Sequence, residues 1–232
     1  VQDIVTAIDH EFEIEQSLKG KNVLVSAGPT QEALDPVRFL SNHSSGKQGY
    51  AIAKAAKALG ANVKLVTWPT ALEDLNDVNM VHVTSAQDMF DAITSRLDDQ
   101  NYIIMAAAVA DYRPEIVADQ KIKKSDEEVT FHFVKNPDIL AYIGKHKKEN
   151  QVICGFAMET QNLEENARKK LEAKNCDMLI ANNLFTSGAG FQTDTNVVTL
   201  LRKNTSQHLP KCSKEELGFK ILETMKEIEM EK

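Results

Sequence analysis

The segment at 35–60 places small polar residues and a lysine directly before a helical pattern, in the order DPVRFLSNHSSGKQGYAIAKAAKALG. Ser44, Ser45 and Gly46 would lie at the start of the helix, where backbone N–H groups and the helix dipole favour an anion. The segment fails the P-loop pattern GxxxxGK[ST], because glutamine follows Gly46-Lys47. It therefore predicts an anion site of another kind. A polar helix start without a ligand is the alternative.

A second stretch of small residues, AAAVADYRP at 106–114, follows an apolar run that predicts a buried strand. Ligands of open parallel sheets bind at the carboxyl ends of the strands, and small side chains let a ligand approach the backbone. Asp111 could accept hydrogen bonds from a ribose or bind a metal. The alternative is that the alanines only pack against a helix and that Asp111 begins a turn.

Lysines form two local clusters in a chain whose net charge is -7. One is KIKK at 121–124, and the other contains Lys170 and Lys174, which are four residues apart and project from one face of a predicted helix. Lysine suits the neutralisation of phosphate. A solvated charged face is the alternative, in which Lys170 and Lys174 diverge into water.

Two other functions are weighed against a phosphate-substrate enzyme. An NAD(P)-dependent oxidoreductase would need GxGxxG after the first strand and an acidic residue after the second. The chain has AGPTQE and VKLVTWPT at those places, which counts against it. A non-catalytic nucleotide-binding or assembly module remains the second alternative.

The elements that must position these residues alternate between short apolar runs and helical patterns. This alternation predicts an α/β fold with a Rossmann-like, doubly wound, mainly parallel sheet. Parallel strands are predicted at 22–28, 62–67, 80–84, 102–108, 151–157 and 177–182, and helices at 49–60, 85–97, 136–146, 163–174 and 213–232.

Further patterns complete this prediction. Ser85 and Ser213 are predicted N-caps, and Asn136 is predicted to cap a helix whose first residue is Pro137. A strand at 129–134 is expected outside the parallel set, after a mobile loop at 111–128. The runs at 196–201 and 206–211 predict an added edge β-hairpin.

The composition limits the class of protein. Hydrophobic residues make up 42% and charged residues 26%, and the negative net charge argues against a general nucleic-acid binder. Three widely spaced cysteines indicate a reducing compartment with buried or inert thiols. No apolar run is long enough for a membrane-spanning helix, so a cytoplasmic location without membrane attachment is expected. No histidine has metal-ligand spacing, so metal ligands are not assigned.

Residues 1–18 show apolar residues at helical spacing, which predicts a linker helix before a domain at 19–232. The absence of an initial methionine is interpreted as a sign that the chain was excised from a longer polypeptide. A processed N-terminus is the alternative.

Eight motifs occur together in one order: SAGPTQEALDPVRFLSNHSSGKQGYAIAKAA, AAAVADYRP, KIKK, VKNPDIL, GFAMET, ARKKLEAK, DMLIAN and GFQTDTN. In this order they resemble the bacterial phosphopantothenoylcysteine synthetases over about 19–230. That family is commonly fused to the carboxyl side of phosphopantothenoylcysteine decarboxylase in coenzyme A biosynthesis. The resemblance implies that residues 1–18 connect to such a decarboxylase, and that FMN would belong only to the decarboxylase.

The resemblance also implies a reaction. The carboxylate of 4′-phosphopantothenate attacks CTP to give an acyl-cytidylate and pyrophosphate, and L-cysteine then displaces CMP. Mg²⁺ is expected with the triphosphate. The preference for CTP over ATP follows from the resemblance alone. The family implies a homodimer, with the edge hairpin expected to take part in pairing.

The resemblance assigns roles to particular residues. Asn42 and Arg38 would contact the acid, and Ser44, Ser45 and Gly46 would hold its phosphate. Asn42, Arg38 and Lys121 would be catalytic, with Lys121 serving the cysteine-adding step. The residues implied for CTP are Met105, Ala106, Ala107, Asp111, Lys121, Pro137, Asp138, Ile139, Leu140, Phe156, Lys170 and Lys174.

Overall fold

The computed structural model describes residues 16–68, 70–124, 128–159, 161–183, 190 and 193–232. Residues 1–15 of the predicted linker helix lie outside this range, as do residues 125–127 of the predicted mobile loop.

The described part of the chain alternates between strands and helices as expected. Its strands are β1 (Asn22–Ala27), β2 (Gln31–Ala33), β3 (Phe39–Ser41), β4 (Asn62–Thr67), β5 (Asn79–His82), β6 (Tyr102–Met105), β7 (Tyr112–Pro114), β8 (Phe133–Lys135), β9 (Val152–Glu159), β10 (Met178–Asn183), β11 (Thr195–Arg202) and β12 (Ser206–Ser213). Its α-helices are α1 (Lys47–Ala58), α2 (Ala86–Thr94), α3 (Ile139–His146), α4 (Leu163–Ala173) and α5 (Lys214–Met230), and a 3₁₀ turn spans Leu97–Asp99.

Eight strands form the main sheet in the order β12-β11-β10-β9-β6-β1-β4-β5. The strands from β10 to β5 in this order are parallel, whereas β11 and β12 form an antiparallel hairpin at the edge. The chain builds outward from β1 to β4 and β5, and then crosses to β6 on the other side. The strand order therefore reverses between β1 and β6, and the predicted doubly wound fold with an edge hairpin is confirmed.

The core lies on both faces of this sheet. Strands that are covered on both sides are apolar nearly throughout, and Val23, Leu24 and Val25 of β1 are all fully buried. Helices α1 and α5 pack on the face that carries Val23, and α2, α3 and α4 pack on the face that carries Leu24. Burial of apolar surface on both faces supplies the main stabilisation of the sheet and fixes its strand ends in space.

The predicted start of the third helix is wrong by two residues. Asp138, not Asn136, is the N-cap of α3, and its Oδ1 accepts the N–H of Ala141 at 2.9 Å. Asn136 precedes a proline, which disfavours helical backbone there. Its side chain is used elsewhere, since Nδ2 donates to the carbonyl of Ala110 at 2.9 Å.

Two short hairpins also differ from the prediction. The strand expected at 129–134 is β8, which begins at Phe133 and pairs antiparallel with β7 inside the predicted mobile loop. The hairpin of β2 and β3 was not predicted. Strands of three residues are too short to show an alternating pattern. By contrast, the caps Ser85 and Ser213 are confirmed as capping boxes with Asp88 and Glu216.

The thiols of Cys154, Cys176 and Cys212 are buried, as predicted. Burial raises the pKa of Cys176 to about 12, so this thiol stays protonated near neutral pH. In the described ranges no helix has both the length and the apolar character needed to cross a membrane.

Candidate active site

Two buried hydroxyls join the loops that follow β1 and β6. Ser26 Oγ accepts the N–H of Ala107 at 3.1 Å, and Thr30 Oγ1 accepts the N–H of Ala110 at 3.0 Å. Both hydroxyl-bearing residues are fully buried. The backbone at 106–110 is therefore held across the carboxyl ends of the strands at the point where the strand order reverses, which is where open α/β sheets bind ligands.

The start of α1 lies close to the end of β1 because two glycines allow it. Gly46 is the N-cap in a left-handed conformation with φ of 79°, and it makes no side-chain capping bond. A Cβ added at Gly49 would lie 2.5 Å from the Cβ of Ala27. The helix N-terminus, with Ser44 and Ser45 before it, therefore faces the same strand ends as the loop after β6.

A first cleft of about 400 Å³ opens at this helix terminus. Its lining includes the predicted acid-binding residues Asn42, Ser44, Ser45 and Gly46. The Asn42 amide is oriented by a hydrogen bond of 2.9 Å from Nδ2 to the carbonyl of Ala108. Four of the five residues predicted to bind the acid are thus brought together by the fold.

A second cleft of about 480 Å³ lies beside the first. It is lined by ten of the residues predicted to contact the nucleotide: Met105, Ala107, Asp111, Pro137, Asp138, Ile139, Leu140, Phe156, Lys170 and Lys174. These residues come from four separate parts of the chain, and the parallel sheet gathers them at one edge. The predicted contact Ala106 lines the first cleft instead.

The two clefts share one wall. Ala107, Val109, Asp111, Phe156 and Lys170 line both of them. Lys170 Nζ donates to the carbonyl of Phe156 at 3.1 Å, which holds the ammonium group at this wall. A group bound in one cleft would therefore meet a group bound in the other beside a lysine and a carboxylate.

Lys174 has a carboxylate partner, which relieves its repulsion from Lys170. Its Nζ forms an ion pair with Asp138 Oδ2. Burial alone would raise the pKa of Asp138, but the hydrogen bonds from Lys174 and from the N–H of Ala141, together with the charge of Lys170, lower it. The carboxylate thus stays ionised, and the N-cap of α3 is tied to the end of α4.

Arg38 and Lys121 lie apart from this arrangement. Within the described residues, neither cleft includes them in its lining. Arg38 donates through Nε to Asp35 Oδ2 at 2.9 Å, and its Nη2 donates to Asp35 and to the carbonyl of Ile122. Lys121 precedes Ile122 and is exposed. Their catalytic roles, and those of the clustered residues, stay predictions.

Three polar residues of the first cleft were not predicted: Asn182, Asn196 and Lys214. Lys214 is 5% exposed, and its Nζ donates to the carbonyls of Gly190 and Thr193. Burial lowers its pKa, the charge of Lys47 adds to this effect, and Asp194 opposes it. A lysine in the first turn of a helix opposes the helix dipole, and this was the sequence signal that could have marked it.

The clefts can accommodate Mg²⁺ if the metal arrives with a polyphosphate. The described residues contain no group of three or more histidine, cysteine, aspartate or glutamate side chains arranged for a metal. Mg²⁺ is commonly held by one or two carboxylates together with substrate phosphates and water. Asp111, the carboxylate common to both clefts, fits that pattern.

Comparison with known proteins agrees with the architecture. The family described as the DNA/pantothenate metabolism flavoprotein C-terminal domain matches residues 18–228. The chain belongs to this family. The chain is 45% identical over 220 residues to the coenzyme A biosynthesis bifunctional protein CoaBC of Vibrio vulnificus, which covers 94% of this chain and 55% of that protein. The protein of the same name from Bacillus subtilis is 45% identical over 226 residues, covering 96% of this chain and 55% of that protein.

Solved structures agree as well. The crystal structure of the C-terminal domain of CoaBC is 42% identical, with a TM-score of 0.78 over 93% of this chain and 97% of that chain. A structure of a Cab2 H337A mutant in complex with phosphopantothenate-cysteine is 18% identical with a TM-score of 0.72, over 98% of this chain and 92% of that chain, and shares the fold. The chain spans about half the length of the curated relatives it matches, and its similarity is to their C-terminal part.

The shared wall predicts that Lys170 contributes to triphosphate binding more than its neighbour does. Lys170→Met should weaken binding of CTP about tenfold or more, because a hydrogen bond to a charged group contributes roughly 1.5–3 kcal/mol. Lys169→Met is the matched control, since Lys169 is exposed and pairs with Glu165 at 2.6 Å. Titration calorimetry measures both variants. Equal affinities for CTP in the two variants would contradict the placement of the triphosphate.

Proposed function

We propose that this chain is a ligase that joins 4′-phosphopantothenate and L-cysteine with CTP, through an acyl-cytidylate, in coenzyme A biosynthesis. The observation that carries this proposal is the pair of clefts that share a wall containing Asp111 and Lys170. A transfer between two substrates requires their reacting groups to meet, whereas a nucleotide-binding module needs a single cleft. Membership of the family and similarity to CoaBC support the same function.

In this proposal the acid occupies the first cleft. Its phosphate binds at Ser44, Ser45 and Gly46, where the N-terminus of α1 favours an anion. Its carboxyl end lies near Asn42. The amide of Asn42 then donates to the acyl oxygen as negative charge develops there, an interaction that is strongest when the donor is already oriented. The bond from Asn42 to the carbonyl of Ala108 supplies that orientation.

The nucleotide occupies the second cleft. Asp111 accepts from a ribose hydroxyl, the backbone of 137–140 faces the cytosine edge, and Phe156 contacts the base. Lys170 and Lys174 bind the triphosphate, with Lys170 beside the α-phosphate at the shared wall. Mg²⁺, when bound with the triphosphate, would neutralise part of its charge, and Asp111 is the residue positioned to hold it.

The chemistry then proceeds in two displacements. A carboxylate oxygen of the acid attacks the α-phosphorus, the bond to the bridging oxygen of pyrophosphate breaks, and pyrophosphate leaves. The amine of cysteine next attacks the acyl carbon, the bond to the cytidylate oxygen breaks, and CMP leaves. Lys121 is proposed to serve this second step, in which an additional positive charge stabilises the developing oxyanion or the leaving phosphate.

Release of pyrophosphate tests this proposal. We expect release from CTP only when 4′-phosphopantothenate is present, and slower release from ATP. Addition of cysteine should yield CMP and the amide in equal amounts. Release that does not depend on the acid would contradict the proposal, and nicotinamide binding in a fluorescence titration would instead favour the oxidoreductase alternative.

Two substitutions should separate the half-reactions. Asn42→Asp should block formation or retention of the acyl-cytidylate, because a carboxylate cannot donate to the acyl oxygen. Lys121→Gln should still release pyrophosphate but transfer poorly to cysteine, by about 10²-fold or more. Lys123→Gln, two residues along the same loop, is the matched control and should retain both steps. Both half-reactions are followed by quenched flow, and full activity of Asn42→Asp and Lys121→Gln would rule out these roles.

We further propose that the chain forms a homodimer through its two small hairpins. Within the described residues, large exposed apolar side chains concentrate on β2–β3, on β7–β8 and in the segments that flank them: Val37, Phe39, Leu40, Tyr112, Ile116, Val117, Val129, Phe131 and Phe133. Strands β2 and β7 are in contact, so this hairpin surface is continuous. Apolar patches of this kind mark protein interfaces. The exposed side chains of β12 are polar or proline, so the hairpin surface replaces the edge hairpin as the proposed interface.

Sedimentation measures this association directly. The wild-type chain should sediment as a dimer, and the double substitution Phe39→Glu with Phe133→Glu should yield a monomer, because both phenylalanines lie on the hairpin surface. Phe219→Glu is the control, since Phe219 is similarly exposed at 43% but lies on α5. A monomeric wild-type chain, or dissociation caused equally by the control, would contradict this interface.

A further inference from the structure

Asp35 places a buried carboxylate between the β2–β3 hairpin and the loop that carries Lys121. Its side chain has no solvent exposure. Oδ1 accepts the N–H groups of Val37 and Arg38, both at 2.8 Å, which closes the turn between the two strands. Oδ2 faces the other way and accepts from the Arg38 guanidinium and from the N–H of Ile122 at 3.1 Å.

The loop is bound to the hairpin at two points that bracket Lys121. Ile122 donates its N–H to Asp35, and its carbonyl accepts from Arg38 Nη2. Ala118 donates its N–H to the carbonyl of Leu34 at 3.0 Å. The backbone on either side of Lys121 is therefore fixed to the hairpin, although the side chain of Lys121 is exposed.

The hairpin turn does not itself require this second set of contacts. An aspartate that closes a turn needs one carboxylate oxygen for the N–H groups that follow it. Here the second oxygen contacts a loop that is 87 residues away in sequence. The hydrogen bonds from Ile122, Val37 and Arg38 hold the pKa of Asp35 well below its ordinary range despite its burial, so the carboxylate is ionised at neutral pH.

We infer that Asp35 is a positioning residue, which acts through Ile122 and Arg38 to hold Lys121 in place for the cysteine-adding step. This inference rests on the proposed function. It differs from a general stabilising role because the contacts bracket the one residue that is assigned to the second half-reaction alone. Displacement of a reacting group by about 1 Å can lower a rate by about 10²-fold.

The substitution Asp35→Asn tests this inference with nearly unchanged shape. An asparagine can keep Oδ1 on the turn, but its Nδ2 would face two donors, Arg38 and the N–H of Ile122. In single-turnover experiments, acid-dependent release of pyrophosphate should stay within about threefold of wild type, whereas amide formation should fall by about tenfold or more. Trypsin cleavage at Lys121 should become faster while the midpoint of thermal unfolding changes little.

Two further variants keep the test decisive. Ile122→Pro removes the same N–H from the loop side and leaves the hairpin intact, so it should produce the same split between the half-reactions even if Asp35→Asn fails to fold. Asp88→Asn is the control: Asp88 also accepts a backbone N–H, from Ser85 at 2.9 Å, but it caps α2. This control should retain both half-reactions at wild-type rates.

The outcomes separate the two proposals. If the wild-type chain forms no amide, the proposed function fails, and faster cleavage at Lys121 in Asp35→Asn and Ile122→Pro would then show only that the loop is held. If the wild-type chain is active, an equal loss of both half-reactions in either folded variant, or unchanged rates with unchanged cleavage, would overturn the positioning role.

Discussion

The buried hydroxyls of Ser26 and Thr30 are the contacts on which the rest of the site depends. A buried hydroxyl without a partner is costly, and so is a buried backbone N–H. Here each hydroxyl satisfies one N–H of the loop after β6, at Ala107 and Ala110. The same bonds fix the path of 106–110, which faces both clefts. The requirement to satisfy buried polar groups therefore also determines where a ligand can lie.

The sheet makes this arrangement possible because β1 and β6 are neighbours in space. The chain crosses over after β5, so the loops that follow β1 and β6 diverge to opposite sides and leave a crevice between them. The close approach of α1 at Gly49 brings an anion-binding helix terminus to one side of this crevice. Lys170 and Asp138 reach the other side from α4 and from the start of α3. Two anionic substrates can thus be adjacent while each has its own positive partners.

Features that are set locally or by long apolar runs were predictable from the sequence. The parallel strands, the caps at Ser85 and Ser213 and the grouping of most predicted site residues at one sheet edge are examples. The choice between Asn136 and Asp138 as helix cap was not, because both side chains can cap and a tertiary contact of Asn136 with Ala110 decides it. The burial of Lys214 and the binding of Arg38 to Asp35 likewise depend on contacts between distant segments, which spacing alone does not reveal.

The central claim is that the acid and the nucleotide meet at the wall that contains Asp111 and Lys170. A crystal structure with a stable phosphodiester mimic of the acyl-cytidylate tests it most directly. The mimic should span both clefts, with its acyl group near Asn42 Nδ2, its cytidine near 137–140, and its linking phosphate beside Lys170 Nζ. A mimic bound within one cleft only, or at a position away from this wall, would contradict the account.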